Sequence, residues 1–468
     1  MFQSRRVFGQ RFAELAATGR ILKTFITVRW LRKFRTRAKI EQFQQRHLAK
    51  HLVFLRDQSP YFARLLPPAP QSLGSVSLQD LPLMDKQVMM ANFDDLIPRE
   101  LRAAGLTRDG ALEHAIAQEK DRDFAGELAG YSIGLSSGTS GHRGLFVTSK
   151  AEQERWAGTV LARALPQGKL WGHRIALFLR ADNNLYERAG SKAVSFKFFD
   201  IYADMAKNLD ALSTYQPTIL VAPPSVLHVI AEHLTQTPAA SKFLMPAKVF
   251  SVAEVLERKD AQYFAKVFGQ DVIHQIYQCT EGFLAISCTH GRIHLNEDVA
   301  IFEREYLTKD RFIPIVTDFV RTSQPVVRYR LNDVLMEDKT PCPCGSALTV
   351  ISRIEGREDD VLLLPAAGAA AEPAQASGNK LVRIYGDMVS RAMIYARGFT
   401  HYRVVQSDHA VLEIFLDTPT EAAAASVRAE LDQLLDTQGC GPRTYIFHLY
   451  HHQVGAKLRR IERALPHA

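Results

Sequence analysis

The sequence predicts an α/β protein with a substantially parallel sheet and more than one domain. In the middle of the chain, short β-like runs alternate with helical stretches, as they do when helices connect parallel strands. The β-like runs are RIALFL, PTILVAPP, AKVFSVAE and DVIHQIYQCT, and the helical stretches include residues 225–236 and 257–268. The chain has 468 residues, which is too long for one hydrophobic core, and its 46% hydrophobic content is ordinary for a globular protein.

The N-terminal part, residues 11–57, is predicted to be helical because apolar side chains recur at helical spacing, and Ser59-Pro60 ends it. Much of the net charge of +8 lies here. Its basic residues are Arg20, Lys23, Arg29, Arg32, Lys33, Arg35, Arg37 and Lys39. Such an amphipathic helix either packs its apolar stripe on the protein, with a solvated basic face, or docks on an acidic partner or an anionic membrane surface. The first interpretation is the favoured one.

Several classes of protein are disfavoured by composition. The longest apolar runs are far shorter than the ~18 residues that a membrane span needs, and the N-terminus shows no apolar core of a secretory signal. Five cysteines do not suggest a disulfide framework and favour a reducing compartment. No nucleic-acid-binding module is recognisable. We therefore expect a cytoplasmic protein without a membrane span or a specific nucleic-acid partner.

A glycine-rich loop at 136–144 lies between a β-like approach and the strand-like LFVTS. Its residues include Ser136, Ser137, Gly138, Thr139, Ser140, Gly141 and Arg143. Glycines permit close backbone approach, so N–H groups and hydroxyls can converge on phosphate oxygens, and we expect a nucleotide polyphosphate to bind here. This is not a Walker loop, because His142 and Arg143 follow Gly141 and a strand rather than a helix comes next. A flexible Ser/Gly-rich connection is the alternative.

Three distant motifs follow this loop. They are YQCTEG at 277–282, VRYRLND at 327–333 and EGREDD at 355–360. Their order and spacing resemble the adenylate-forming superfamily of acyl-CoA synthetases. The LNED after His294 and the PCPCG at 341–345 look most like the phenylacetate-CoA ligase branch, especially its deazaflavin-adenylating-synthetase-related members. The resemblance covers residues 38–468.

This resemblance implies a large N-terminal adenylate-forming domain with mixed and parallel sheets and helices, followed by a small α+β C-terminal lid domain. We expect an N-terminal helical segment at 1–60, the adenylation domain at 61–356 and the lid at 357–468, with a flexible insertion at 365–379. Asp359, in the GREDD motif, is expected to mark the hinge on which the lid moves between two poses.

The resemblance also assigns roles in an ATP site. Thr280 and Glu281 match the pair that faces the α-phosphate and Mg²⁺, a hard cation that prefers oxygen ligands. Asp333 matches the acidic residue that binds the ribose hydroxyls. Arg143 stands where lysine is more usual, and its guanidinium can still bind phosphate. Taken alone, a Thr-Glu pair is typical of a helix cap or a surface turn.

Further candidates are assigned by their place in the family pattern. Ala253 and Glu254 occupy the place of the adenine-contacting segment, and Tyr277 is placed to stack on the base. Arg357, in the GREDD motif, completes the nucleotide-binding set. Lys457 is the best match to the lid lysine that meets the carboxylate and the α-phosphate during adenylation. An ordinary strand end is the alternative for Ala253 and Glu254, and a basic C-terminal helix end is the alternative for Lys457.

Four residues suggest a metal site. Cys342 and Cys344 form a C-x-C-G knuckle, and Cys288 and His294 lie in CTHGRIHLNED. Thiolates with an imidazole suit tetrahedral Zn²⁺, and four protein ligands leave no open position for chemistry, so the expected role is structural. His290 could replace one partner, and buried free cysteines are the alternative.

Together these features predict an AMP-forming ligase. A carboxylic acid and ATP give an acyl-adenylate and pyrophosphate, and a thiol, either coenzyme A or a carrier protein, then displaces AMP. Phe196, Phe198, Phe199 and Phe283 suggest an aromatic or other apolar acid. One alternative is an adenylyltransferase that attaches AMP to a phenolic or deazaflavin-type acceptor. Another is a non-catalytic nucleotide-binding protein with a decayed lid.

Overall fold

The computed structural model describes residues 16–68, 76–121, 123–124, 126–135, 144–179, 194–201, 203–237, 245–368, 381–451 and 459–465. The glycine-rich stretch 136–143, most of the expected insertion at 365–379, and Lys457 therefore lie outside the described residues. Within the described ranges, the helices are too short or too polar to cross a membrane.

The N-terminal segment comprises a helix at residues 16–26, a π-helical turn at Thr27–Leu31, an extended stretch at 32–35 and helix α1 at Arg37–Gln58. The expectation of one continuous helix is therefore wrong between the turn and α1. The interruption has a tertiary cause, because the N–H of Ala347 donates to the carbonyl of Phe34 at 2.9 Å. A helix at this position would direct that carbonyl along its own axis. Ser59 and Pro60 end α1 as expected.

Five short helices and a hairpin follow. The helices are α2 (Pro60–Leu65), α3 (Lys86–Ala91), α4 (Phe93–Leu96), α5 (Arg99–Ala103) and α6 (Arg108–Asp121), with a 3₁₀ turn at Leu78–Asp80. The hairpin consists of β1 (Ser132–Leu135) and β2 (Leu145–Thr148), which pair antiparallel. The glycine-rich stretch is thus the connection between two strands. Helix α7 (Lys150–Ala164) begins after β2 with a capping box formed by Ser149 and Glu152.

A 12-stranded sheet forms the body of the protein. Its strands are β3 (His173–Leu179), β4 (Val194–Asp200), β5 (Ile219–Ala222), β6 (Lys248–Val252), β7 (His274–Cys279), β8 (Gly282–Ser287), β9 (Ile293–Leu295), β10 (Ala300–Tyr306), β11 (Arg311–Asp318), β12 (Val326–Arg330), β13 (Asp333–Asp338) and β14 (Val350–Arg357). The order β4-β3-β5-β6-β7 is parallel throughout. The other strands pair antiparallel, in the order β7-β8-β9-β14-β13-β11-β10, with β12 on β11. The four β-like runs of the sequence are β3, β5, β6 and β7.

Helices cover both faces of the parallel strands. Helices α8 (Met205–Tyr215), α9 (Pro224–Gln236) and α10 (Arg258–Val267) connect these strands along the chain. Leu220 of β5 packs with α9 and α10, whereas its neighbour Ile219 packs with α7 and the N-terminal helix. Burial on both faces explains why these strands are continuously apolar rather than alternating. It also leaves their carboxyl ends at one edge of the sheet, where ligands bind in folds of this kind.

A smaller α+β unit forms the C-terminal part. Its elements are a 3₁₀ turn at Glu358–Asp360, β15 (Leu362–Pro365), β16 (Leu381–Ile384), α11 (Gly386–Tyr395), β17 (Tyr402–Asp408), β18 (Val411–Leu416), α12 (Glu421–Thr437), β19 (Thr444–Leu449) and β20 (Ile461–Arg463). A four-stranded sheet in the order β19-β18-β17-β20 packs against α11 and α12 around its own core, which includes Ile414 and Val427. A large mixed α/β body followed by a smaller unit is the predicted fold class.

Candidate functional site

A cavity of about 710 Å³ lies at the carboxyl ends of the parallel strands and is referred to below as the strand-end cavity. Seven of the residues expected to bind nucleotide line it, namely Ala253, Glu254, Tyr277, Thr280, Glu281, Asp333 and Arg357. They come from segments far apart in sequence that converge because β6 and β7 end side by side and β13 returns beside β14. Arg459 and Arg460 of the C-terminal unit form another part of the wall.

The floor of the cavity after β6 is a tight turn. Ala253 has φ +65°, a conformation that non-glycine residues rarely adopt, and the N–H of Glu254 donates to the carbonyl of Val252 at 2.8 Å. The Glu254 carboxylate accepts from the backbone N–H and the hydroxyl of Ser225, both at 3.0 Å. Glu254 therefore satisfies donors at the start of helix α9, and the turn presents exposed Ala253 to the cavity.

The turn after β7 presents Thr280 and Glu281. The Thr280 hydroxyl donates to the Glu281 carboxylate at 2.9 Å, and Glu281 also hydrogen-bonds the buried Tyr329. Burial, followed by the nearby Glu281 charge, raises the pKa of Tyr329 far above its usual range. The phenol of Tyr329 is therefore a permanent donor, and it holds the Glu281 carboxylate in a fixed direction within the cavity.

Tyr277 and Asp333 meet across the cavity wall. The Tyr277 hydroxyl donates to one carboxylate oxygen of Asp333 at 2.5 Å, a short charge-assisted bond. Burial, followed by the Asp333 charge, raises the pKa of Tyr277 well above its usual value. The ring of Tyr277 is 7% exposed, so most of it belongs to the core, and its hydroxyl serves to orient Asp333.

Arg321 is a buried residue of this region that the sequence analysis missed. Its guanidinium donates to the carbonyl of Thr280 at 2.6 Å and to the side chain of Gln324 at 2.8 Å. Gln324 in turn accepts from the N–H of Val147 and donates to the carbonyl of Leu145, both on β2. The network thus fixes the strand that follows the glycine-rich stretch relative to the Thr280 turn. No local sequence pattern predicts this role of Arg321, because the role depends on contacts between three separate segments.

The expected hinge lies at the junction of the two units. Asp359 is in the 3₁₀ turn Glu358–Asp360. Its neighbour Asp360 pairs with Arg459, and Asp260 of helix α10 pairs with Arg460. The second pair holds this part of the C-terminal unit against the body, beside the strand-end cavity. Lys457 lies outside the described residues, and the chain that follows it lines the cavity from Arg459 onward.

A second, apolar pocket of about 150 Å³ adjoins the strand-end cavity and is referred to as the apolar pocket. The two share Leu179, Ala253, Ile276 and Gln278 as lining residues. Helix α7 supplies much of its wall, and the Trp156 indole N–H donates to the Gln278 side chain at 3.2 Å.

Of the four phenylalanines suggested by the sequence, Phe196 lines the apolar pocket. Phe199 instead stacks on Phe178 on the other face of the sheet, and Phe283 lies in the core between the sheet and α7. Phe198 is absent from the described lining of this pocket. The sequence did not lead us to assign helix α7 to this pocket. A pattern that could have indicated its apolar face is the recurrence of Trp156, Val160 and Ala164 at every fourth residue.

The four expected metal ligands come together in the antiparallel half of the protein. The donor atoms of Cys288, His294, Cys342 and Cys344 all lie within 4.8 Å of one another, and we refer to them as the cysteine–histidine cluster. His290, the alternative ligand, does not belong to this group of described residues. Its backbone N–H donates to the Cys288 sulfur at 3.4 Å.

The spacing within the cluster fits a tetrahedral metal. The sulfurs of Cys288 and Cys342 are 3.6 Å apart, and the Cys344 sulfur is 3.5 Å from Nε2 of His294. Bond lengths of Zn²⁺ to sulfur and nitrogen place such atoms roughly 3.6–3.8 Å apart around a tetrahedral ion. The Nδ1 atom of His294 is 3.2 Å from the carbonyl of Leu348, an arrangement that leaves Nε2 free to bind a metal.

Comparison with known proteins places the fold. The sequence matches no protein-family model. Among curated proteins, Protein CapK of Staphylococcus aureus is 29% identical over 153 residues, which are 32% of this chain and 34% of that protein. The matched region thus spans about a third of that relative's length.

Solved structures match far more of the chain. A 2-hydroxyisobutyryl-CoA ligase in the postadenylation state with R3-HIB-AMP is 14% identical, with 92% of this chain and 91% of that chain covered and a TM-score of 0.67. The same ligase in its thioesterification state, with 2-HIB-AMP and CoA, gives a TM-score of 0.52 at 17% identity over 92% and 91% of the chains. The amide bond synthetase McbA from Marinactinospora thermotolerans is 14% identical over 69% and 66%, with a TM-score of 0.50.

The chain therefore has the fold of the adenylate-forming ligases, a large mixed α/β domain followed by a smaller C-terminal domain, as the sequence predicted. Its structural neighbours are AMP-forming ligases. The finer resemblance to the phenylacetate-CoA ligase branch stays a prediction.

Proposed function

We propose that this protein activates a carboxylic acid with ATP, releases pyrophosphate, and transfers the acyl group from the acyl-adenylate to the thiol of coenzyme A. The observation that carries this proposal is the strand-end cavity, which gathers seven residues expected to bind nucleotide from separate segments. Its volume of about 710 Å³ is within the ~300–1,000 Å³ of ligand sites. The adenylyltransferase and the non-catalytic nucleotide-binding protein remain as outcomes of the test below.

In the adenylation step, the acid carboxylate attacks the α-phosphorus of ATP and pyrophosphate leaves with its electron pair. The glycine-rich loop would hold the β- and γ-phosphates through N–H groups and Arg143. Glu281, oriented by Tyr329, would hold Mg²⁺, which neutralises the polyphosphate. Asp333, oriented by Tyr277, would bind the ribose hydroxyls.

Two half-reactions at one site need a movable wall, and the C-terminal unit supplies one. The pair of Asp260 with Arg460 joins the two units and would have to break when the C-terminal unit turns about Asp359. Asp360 and Arg459 both lie beyond Asp359 and would turn together. In the adenylation pose, Lys457 would meet the carboxylate and the α-phosphate.

The acyl group of the substrate would occupy the apolar pocket. A cavity of about 150 Å³ lined by apolar side chains accepts a group the size of benzene. The pocket opens toward Ala253 and Gln278 of the strand-end cavity, so the carboxylate of an acid seated there would face the α-phosphate. An apolar acid of about that size, aromatic or branched, is the substrate class we propose.

The cysteine–histidine cluster would hold a structural Zn²⁺. Four protein donors complete a tetrahedral shell and leave no position for a reacting water. The metal would tie the loop after β8 to the loop between β13 and β14, which the Arg292 side chain also bridges by donating to the carbonyl of Pro341 at 2.8 Å. Cysteines that are not paired in disulfides suit a reducing compartment such as the cytoplasm.

A pyrophosphate-exchange assay over a panel of carboxylic acids tests the proposal. Exchange should depend on Mg²⁺ and on an apolar acid, and addition of coenzyme A should yield AMP and an acyl thioester. A product that retains AMP would instead identify an adenylyltransferase. ATP binding without exchange for any acid would identify a non-catalytic nucleotide-binding protein.

The apolar pocket offers a matched control in the same assay. Ala157→Phe would fill the pocket and should abolish exchange with a ring-sized acid while leaving the ATP affinity unchanged. Ala424→Phe, on helix α12 of the C-terminal domain, adds the same bulk at a place remote from the pocket. Unchanged acid preference in Ala157→Phe would contradict the assignment of the pocket.

A further inference from the structure

The N-terminal helix is fastened to the body by one face. Phe25 and Val28 are buried against helix α7. The Arg29 guanidinium donates to the carbonyls of Ala162 and Leu165 at 2.8 and 2.9 Å, where α7 ends. These contacts satisfy orphan carbonyls of α7 and fix the rotation of the N-terminal helix about its axis.

The opposite face of the same segment is apolar and exposed. Leu22, Ile26, Trp30 and Leu31 are 54%, 38%, 51% and 73% exposed. The first three stand four residues apart and so share one side of a helix. We refer to these four exposed residues as the apolar stripe. Four of the thirteen large apolar side chains that are exposed in the described part of the chain thus fall within ten consecutive residues. Scattered apolar residues are normal on a surface, whereas a contiguous group marks a contact surface.

Positive charge is concentrated in the same segment. The first 37 residues contain ten lysines and arginines and a single acidic residue, so they carry a net charge of +9, compared with +8 for the whole chain. Lys23 and Lys33 are exposed beside the apolar stripe. The remaining 431 residues are therefore close to neutral, and the positive charge of the protein belongs to its N-terminal segment.

A cavity of about 340 Å³, referred to below as the cationic cavity, opens at the end of this segment. It is lined by the cations Arg29, Arg32, Lys33, Arg35, Arg163 and Lys248. Asp298 is the one carboxylate in its described lining, and it already pairs with Arg32 and Arg163. Cys288, His294 and Cys344 of the cysteine–histidine cluster also line the cavity, and a Zn²⁺ ion held by three thiolates and an imidazole would contribute one negative charge. The six cations exceed these two negative charges, so an anion such as a phosphate group could balance the remainder.

We propose that this N-terminal patch, the exposed side chains of Leu22, Ile26, Trp30 and Leu31 together with the adjoining cations, docks on the surface of an anionic lipid bilayer. A helix that carries tryptophan and leucine on one face and lysine and arginine beside it is the kind that lies in a membrane interface. A free phosphate would use the cationic cavity but not the apolar stripe. A bilayer supplies acyl chains for the stripe and headgroup phosphates for the cavity.

The position of the patch is compatible with catalysis. Lys248, in the cationic cavity, is the first residue of β6, whereas Ala253 follows the last residue of the same strand in the strand-end cavity. The two sites are therefore on opposite edges of the sheet, separated by the length of β6, about 16 Å. Docking at one edge leaves the entrance at the other edge open to ATP and coenzyme A.

Cosedimentation of the full chain with lipid vesicles tests the proposal. The protein should bind vesicles of equal parts phosphatidylcholine and phosphatidylserine but not vesicles of phosphatidylcholine alone, and added salt should release it. Trp30→Ser combined with Leu31→Ser should weaken binding about tenfold or more, since little apolar area would remain for the interface. Lys23→Gln combined with Lys33→Gln should weaken it about fivefold per charge.

Matched control variants test whether substitutions at other exposed positions also weaken vesicle binding. Leu449→Ser removes an equally exposed apolar side chain from the C-terminal domain, and Lys309→Gln with Lys339→Gln removes two exposed charges from strand ends. These variants should bind as the unmodified protein does, and all variants should fold with the same melting temperature.

Absence of binding to phosphatidylserine vesicles would overturn the proposal and leave the patch to an acidic protein partner. Binding that survives Trp30→Ser with Leu31→Ser but is lost with Lys23→Gln and Lys33→Gln would also overturn it. In that case the patch would act as a simple phosphate site. Neither result depends on ligase activity, so the test is independent of the proposed function.

Discussion

The strand-end cavity and the cysteine–histidine cluster were both expected from short motifs, yet they are built in opposite ways. The cavity is open, and its walls come from the ends of parallel strands, from β13 and β14, and from the C-terminal domain. The cluster is a compact and complete set of four donors within 4.8 Å of one another, on strand β9 and two loops of the antiparallel half. An open site between two units can admit substrates and change shape, whereas a complete donor set can only hold an ion in place.

The two regions also differ in how their polar groups are prepared. In the cavity, neighbouring protein donors orient the carboxylates, as Tyr277 does for Asp333 and Ser225 does for Glu254. In the cluster, the sulfurs face one another, and a bound cation is what would balance them. Changes in the cavity should therefore alter catalysis with little effect on stability, and changes in the cluster should do the reverse.

The largest effect on catalysis is expected at Glu281. Glu281→Gln keeps the size of the side chain but removes the charge that would bind Mg²⁺, and we expect pyrophosphate exchange to fall about 10³-fold. The melting temperature should change little, because Glu281 is only partly buried. The control is Glu113→Gln, an exposed position on α6. Exchange within a few-fold of the unmodified protein would remove Glu281 from the site.

The next effect separates the two half-reactions. Lys457→Ala should lower adenylate formation about 10²-fold, since its ammonium would stabilise charge in that transition state alone, and should still allow a supplied acyl-adenylate to be converted to product. Asp359→Pro should stiffen the hinge and impair the thioester step instead. Both steps are assayed separately on both variants, with exposed Lys339→Ala as the control. Equal losses in both steps for Lys457→Ala would mean that the lysine is structural.

A smaller effect is expected at Asp333. Asp333→Ala should weaken ATP binding by about 1.5–3 kcal/mol, or about 10- to 150-fold, because charge-assisted bonds to the ribose would be lost. Calorimetry measures the affinity. Tyr277→Phe removes the donor that orients Asp333 without removing the carboxylate, so its effect should be weaker. If Tyr277→Phe weakens ATP binding as much as Asp333→Ala does, then loss of the Tyr277–Asp333 hydrogen bond accounts for the effect. Asp333 would in that case support the protein core rather than bind the ribose.

The smallest effect on catalysis is expected from the cluster. The purified protein should contain zinc in equal molar amount, and Cys342→Ser should lose it together with about 2 kcal/mol of stability, as when a cross-link between loops is removed. Pyrophosphate exchange at low temperature should stay within a few-fold of the unmodified protein. Cys440→Ser removes another buried thiol far from the cluster and should keep the zinc. An absence of zinc by elemental analysis would refute the metal site.

Much of this protein was predictable from sequence because the signals are local. The apolar runs of β3, β5, β6 and β7 carry enough β-branched and aromatic residues to be recognised one at a time. The grouping of Cys288, His294, Cys342 and Cys344 was predicted from residue type, because few roles suit three cysteines and a histidine together. The structure brings these four together and leaves His290 out, although Cys288 and Cys342 are 54 positions apart.

Other features required contacts that no local pattern encodes. The break after Leu31 follows from the backbone pairing of Phe34 with Ala347. Arg321 acquires its role from the Thr280 turn and from Gln324, which no motif contains. The apolar pocket uses one face of α7, and whether an apolar side chain lines a pocket or fills the core depends on its neighbours.

The sequence by itself determined the fold class, the order of the motifs and the chemistry of their side chains, because strand and helix periodicities and donor types are properties of short segments. The tertiary structure decided which of those side chains meet. It brought seven residues expected to bind nucleotide to one cavity, and it turned one apolar side of the N-terminal helix inward while leaving Leu22, Ile26 and Trp30 exposed. The physical reason is that an amphipathic pattern specifies an apolar surface but not its partner, which is fixed only when distant segments pack together.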